Sequence, residues 1–143
     1  MMAMVAATVA NKGEQMTPYL VSRTLDPDLN EVSSTSTKVA RTPIDSATAS
    51  SLSSLMQTAV ANGTGTSAQV AGVQVAGKTG TAETGTDSGP TTWFVGFAGT
   101  DIDKPEIALA VVLDGNAETE DGATGGKIAG PVAAQVIDAA VNQ

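Results

Sequence analysis

A chain of 143 residues suits one small globular domain, and this one contains neither Cys nor His, so it cannot by itself build a Ser-His-Asp triad, a Cys nucleophile, a Cys/His zinc site or a disulfide framework. With 41% hydrophobic and 15% charged residues it can bury a core, so disorder is not expected. Fifteen acidic against seven basic residues leave a net charge of -8, which argues against contact with a phosphate backbone, and no nucleic-acid partner is expected.

The first ten residues are apolar but lack a basic leader and are too short to span a bilayer. Met2, Val5, Ala6, Val9 and Ala10 recur at helical spacing and predict a core helix that stops at Asn11-Lys12-Gly13, with Gly13 free to take a left-handed conformation. No N-cap precedes Met1-Met2, so the first turn reads as cut from a longer polypeptide. Pro18 to Val21 is read as a short strand, Asp26-Pro27-Asp28 as a turn, and Ser33 to Thr37 as a polar loop. Thr42-Pro43-Ile44-Asp45 predicts a helix start with Thr42 as N-cap, Pro43 at the first position and Asp45 as reciprocal acceptor. The helix that follows should bury Leu52, Leu55, Met56, Ala59 and Val60 and end at Asn62-Gly63. Asn62-Gly63-Thr64 also fits a glycosylation acceptor, but a helix stop accounts for it.

After Gly65 the apolar period changes from helical to alternating. Val73 and Val75 lead to Gly77, Trp93 to Phe97 forms an aromatic strand, and Ile107 to Leu113 an almost wholly apolar one. Short Gly-rich connections favour an antiparallel meander over helical crossovers. An acidic loop with Asp114, Glu118, Glu120 and Asp121 passes through Gly125-Gly126 into a last helix, with Pro131 near its start and Val132, Val136, Ile137, Ala140 and Val141 on one face.

One lysine admits two readings. Gly72 to Thr79 satisfies the P-loop pattern G-x-x-x-x-G-K-[ST], and the apolar run ending at Asp114 imitates the strand that carries a magnesium-binding carboxylate. A P-loop needs its backbone N–H groups turned toward a phosphate at the mouth of a helix that begins at the Lys-Thr pair. Here Val73, Gln74, Val75 and Ala76 favour an extended pleat, and Gly80, Gly85, Gly89 and Pro90 leave no place for a helix to start. The second reading keeps Lys78 on a strand, in Lys78-Thr79-Gly80-Thr81-Ala82-Glu83. This segment resembles the K-T-G signature of penicillin-binding proteins and serine β-lactamases. The preceding Val70 to Gly77 and the later Trp93 to Ala98 and Pro105 to Val112 resemble successive strands of a class B penicillin-binding protein transpeptidase domain. Met2 to Ala7 and Met16 to Val21 resemble the segment upstream of them. The likeness covers most of the chain, is weakest between Asp26 and Arg41, and is nearest to the actinobacterial penicillin-binding protein A group.

The resemblance implies an α+β fold in α/β/α layers, a five-stranded antiparallel sheet flanked by helices. It implies a serine acyl-transferase that cross-links peptidoglycan stem peptides and binds β-lactams, with a Lys activating the Ser. Lys78 would line the cleft, adding positive charge that lowers the pKa of the catalytic Lys and attracts the substrate carboxylate. Thr79 and Thr81 would hydrogen-bond that carboxylate, and Gly80 would let substrate approach the strand. The Thr81 backbone N–H would be an oxyanion donor, worth about 3 kcal/mol by analogy with other such sites. No metal or cofactor is implied. A cell-wall glycan polymerase is implied as a partner, and an extracytoplasmic site, anchored to the membrane through a more N-terminal part.

The chain lacks the other two motifs of that family. The residues three before its lysines are Val9, Thr35, Val75, Asp101 and Thr124, so there is no S-x-x-K, and Thr35-Ser36-Thr37-Lys38 is a decoy. No Ser stands two before any Asn, so there is no S-x-N either. Residues 1–143 are therefore expected to be the C-terminal portion of a transpeptidase domain, inactive alone and needing the N-terminal remainder to fold stably. A non-catalytic substrate- or partner-binding module is the alternative, and a P-loop NTPase a more distant one.

Overall fold

A computed structural model describes residues 1–83, 89–115 and 122–142. Glu118, Glu120 and Asp121 of the acidic loop, and Gly85 after the K-T-G segment, lie outside the described residues. In chain order the elements are α1 (Met2–Ala10), β1 (Gln15–Met16), β2 (Arg23–Leu25), β3 (Glu31–Ser34), β4 (Val39–Arg41), α2 (Ser46–Asn62), a single 3₁₀ turn (Thr66–Ala68), β5 (Gln74–Ala82), β6 (Thr91–Gly99), β7 (Ile107–Leu113) and α3 (Ala129–Val141).

The last three strands form the expected antiparallel meander in the order β5-β6-β7. Alternation along the central strand sends Phe94 to one face and Phe97 to the other, and both are fully buried. Phe94 packs with Val60, Ala68, Leu109, Ala129, Ala133 and Ile137 under α3, while Phe97 packs with Ala6, Val9 and Ala76 under α1. One strand thus anchors both layers, each Phe contributing about 2 to 3 kcal/mol of apolar burial. Helix α2 sends Val60 to the first cluster and Met56 to the edge of the second, so it runs beside β5 where the layers meet. This is the layered α+β architecture expected from the sequence, although the sheet has three strands among the described residues and not the five implied, the other four strands forming two separate pairs.

Local chemistry explains the element ends. Gly13 ends α1 at φ +97°, and a Cβ there would strike the Ile44 carbonyl, so only Gly fits the turn. Its N–H donates to the Thr8 carbonyl at 2.8 Å. The cap of α2 is Asp45 and not Thr42: the Asp45 carboxylate accepts the Thr48 N–H at 2.7 Å. Pro43 therefore precedes the helix. The capping bonds hold the Asp45 carboxyl below its ordinary pKa, because they favour the ionised form.

Four other expectations are corrected. Pro18 to Val21 is not a strand: β1 and β2 lie on either side of it, pairing with β4 and β3. Ser33 and Ser34 belong to β3 and not to a loop, in a hairpin whose turn is held by Asp26 accepting the backbone N–H groups of Asp28 and Asn30. On α2 the buried residues are Ala49 and Val60, while Leu52 and Leu55 stay exposed, Leu55 at 66%. On α3 they are Ala129, Gly130, Ala133 and Ile137, while Val132 and Val136 stay exposed. Each of these helices carries two apolar stripes, and the packing against the sheet, with Val60 and Met56 of α2 and Ala133 and Ile137 of α3 turned to the clusters, selects between them. The outer edge of β7 has no strand partner among the described residues.

Candidate active site on the K-T-G strand

Strand β5 runs unbroken through Gln74–Ala82, so Lys78 and Thr79 lie mid-strand and not at the start of the helix a P-loop needs. The motif's second glycine has a packing reason. A Cβ on Gly77 would run into the Phe94 ring, with Cε2 only 2.8 Å away. The P-loop reading is thereby overturned.

Strand alternation divides the four expected site residues. Lys78 and Gly80 pair across the ladder with Val95 and Trp93 and face the α1 layer. Thr79 and Thr81 pair with Phe94 and Thr92 and face the α3 layer. They do not converge on one face; they flank the outer border of β5, which has no strand partner among the described residues. Lys78 Nζ donates to the Thr79 carbonyl at 2.9 Å. A cavity of about 490 Å³ opens beside it, lined mainly by apolar groups of Met2, Val5, Met56, Trp93 and Val95 together with Lys78, Thr79 and Gly80. An exposed ammonium at the mouth of an apolar pocket suits a ligand with a carboxylate next to an apolar body.

On the other face each threonine hydroxyl has a partner. Thr79 Oγ1 is 2.6 Å from Thr64 Oγ1, in the turn that follows α2. Thr81 Oγ1 accepts the Gly125 N–H at 3.1 Å. Reading the sequence missed both partners, because Gly63-Thr64-Gly65 and Gly125-Gly126 signal only a helix stop and a helix lead-in. Among the described residues no three His, Cys, Asp or Glu side chains gather where they would hold a metal ion.

An edge strand bearing Lys-Thr-Gly-Thr, crossed by a Trp-Phe strand and layered between helices, narrows the comparison to one kind of domain. A model of the penicillin-binding protein transpeptidase domain matches residues 1–138. The chain belongs to this family. Peptidoglycan D,D-transpeptidase PbpA of Mycolicibacterium smegmatis is 39% identical over 99% of this chain and 28% of that relative. PbpA of Mycobacterium tuberculosis is 40% identical over 97% of this chain and 28% of its own length. The solved penicillin-binding protein A from M. tuberculosis, in a ceftriaxone acyl-enzyme complex, superposes with a TM-score of 0.83 and 39% identity over 96% of this chain and 31% of that one. The D,D-transpeptidase domain from Eggerthella lenta gives a TM-score of 0.78 and 34% identity, covering 96% of this chain and 30% of that one. This transpeptidase-family chain spans less than a third of the length of these relatives. Among its described residues no helix is long and apolar enough to cross a membrane.

Proposed function

We propose that residues 1–143 supply the C-terminal, K-T-G-bearing portion of a serine D,D-transpeptidase domain that acylates on peptidoglycan stem peptides and on β-lactams. The carrying observation is Lys78-Thr79-Gly80-Thr81 on the outer border of β5, the position from which a strand can lie alongside an extended peptide. The motif census leaves the nucleophilic Ser and its Lys base to polypeptide that this chain does not contain. Lys78 attracts the substrate carboxylate and, beside a catalytic Lys, disfavours that residue's protonated form. Thr79 and Thr81 donate O–H groups to the carboxylate. The Thr81 backbone N–H receives the charge that develops on the acyl oxygen. A cell-wall glycan polymerase as partner, and membrane anchoring through a more N-terminal part, belong to the same reading.

The test is a chimera in which residues 1–138 replace the matching segment of M. tuberculosis penicillin-binding protein A, treated with fluorescent penicillin. The chimera should label. Lys78→Ala should slow labelling by at least about tenfold, the scale of losing one charge-assisted contact. The isolated chain should not label. An unlabelled but folded chimera, or a labelled band from the isolated chain, would sink the proposal.

A further inference from the structure

Given a transpeptidase site on β5, the two threonines must each keep a proton for the substrate carboxylate. We infer that Thr64 is a positioning residue for the transpeptidase site: its hydroxyl donates to Thr79 Oγ1 and so leaves the Thr79 proton for the substrate carboxylate.

A hydroxyl carries one proton and two lone pairs. At 2.6 Å the Thr64 and Thr79 oxygens are joined by a short hydrogen bond that one proton fills at a time. If Thr79 donates, it has nothing left for a carboxylate, which only accepts. If Thr64 donates, Thr79 accepts and its own O–H stays available. An arriving carboxylate selects the second state, because a charge-assisted bond is roughly twice as strong as a neutral one. Thr64 to Thr79 to carboxylate then forms a chain whose members polarise one another.

Thr81 shows the same arrangement in fixed form. Its oxygen accepts from the Gly125 backbone N–H, a group that can only donate, so its proton is always free to be given. Two threonines two residues apart on one face of β5 thus each have a donor behind them, one permanent and one switchable. Among the described residues Thr64 Oγ1 has no other hydrogen-bond partner, so the contact with Thr79 is its evident role.

The turn that carries Thr64 is held from two sides. The Gly65 N–H donates to the Ala59 carbonyl at 3.0 Å. Ser67 Oγ donates to the Gly126 carbonyl. The Thr64 carbonyl sits where a Cβ on residue 126 would be, so the loop ahead of α3 closes on the turn only because that residue is glycine. Thr64 therefore presents its hydroxyl from a clamped turn and not from a loose one.

The experiment uses the chimera and two acylating reagents, benzylpenicillin and its methyl ester, which differ only in the carboxylate. Thr64→Val removes the donor at equal size. Thr79 keeps its proton in this variant but loses the donor that orients and polarises its hydroxyl, so the second-order acylation rate with benzylpenicillin should fall about fivefold, the scale of one neutral hydrogen bond, while the rate with the ester should change less than about twofold. Thr64→Ser should restore the first rate. Thr64→Val added to Thr79→Val should cost nothing more than Thr79→Val alone, because the two act in series. Equal losses with both reagents, additive losses in the double variant, or a Thr64→Val rate equal to the parent's would each overturn the inference. Should Thr64→Val fail to fold, Thr64→Ala is read in its place, and a parallel fall in both rates and in melting midpoint assigns Thr64 a purely structural role. A parent chimera that does not acylate removes the functional reading and this inference with it; an active parent indifferent to Thr64 removes the inference alone.

Discussion

Gly77→Ala tests whether the glycine before the lysine is there for packing. The added methyl would sit 2.8 Å from Phe94 Cε2 and 3.0 Å from Cε1, against about 3.5 to 4.0 Å for unstrained carbon contacts. Phe94 Cζ would lie closer still, so the ring must retreat by more than about 1 Å. It has no room to do so: Phe94 is fully buried, with Val60, Ala68, Ala129 and Ile137 in its cluster. Overpacking a filled core costs about 1 to 3 kcal/mol, and a ring boxed in this way belongs at the upper end, about 3 kcal/mol. Urea denaturation of the chimera, followed by circular dichroism, should show that loss with an unchanged slope. Gly77→Ala combined with Phe94→Leu should lose less than the sum of the two, since the smaller side chain makes the room that the methyl needs. A Gly77→Ala midpoint equal to the parent's, within about 0.5 kcal/mol, would refute the packing argument.

The buried and exposed stripes of the helices should separate cleanly in the same assay: Ile137→Ala should cost about 3 kcal/mol and Leu55→Ala less than about 0.5 kcal/mol, and the reverse order would show the burial to be misassigned. Because its cap bonds lower the folded-state pKa of Asp45, that carboxylate contributes stability above its unfolded pKa and loses it as pH falls through the folded value. Melting midpoints taken from neutral pH downward should therefore drop in the acid range, and by less in Asp45→Asn, which keeps a neutral cap; identical acid profiles would count against the cap. The apolar border of β7, without a strand partner among the described residues, predicts that the isolated chain self-associates or unfolds without cooperativity, and a sharp, reversible melt of a monomer by calorimetry would contradict this.

The core strands were legible because their signals are local. Period-two alternation around Phe94 and Phe97, and an unbroken apolar run at Ile107–Leu113, give β6 and β7 without knowledge of their neighbours. Helix ends were legible where glycine chemistry is decisive, as at Gly13. The buried stripe of α2 was not, since Leu52 and Leu55 are as apolar as Met56 and Val60 and only packing beside β5 selects between them. Pro43 suits a first helical position and so points to Thr42 as the cap, whereas the chain stays extended to Asp45, at ψ 166°. Of the candidate site, the linear motif Lys78 to Thr81 could be read directly. Its division between two faces, and the support from Thr64 and Gly125, join residues 15 and 44 positions apart in sequence, and no local pattern encodes such a pairing.

The sheet ends in two borders of opposite character. The β5 border carries the polar Lys-Thr-Gly-Thr run, and the β7 border carries Ile107–Leu113, with only β6 between them. At about 4.8 Å per strand they lie roughly 10 Å apart. The two borders can thus be altered on separate strands, and a change in either reaches the other through the paired backbone of β6 and through the core cluster that Val75, Phe94 and Leu109 share under α3. A protein divided ahead of this segment would therefore have a seam that does not cut through the K-T-G strand, which makes the division a practical starting point for a two-piece reporter whose reassembly is read out by penicillin labelling.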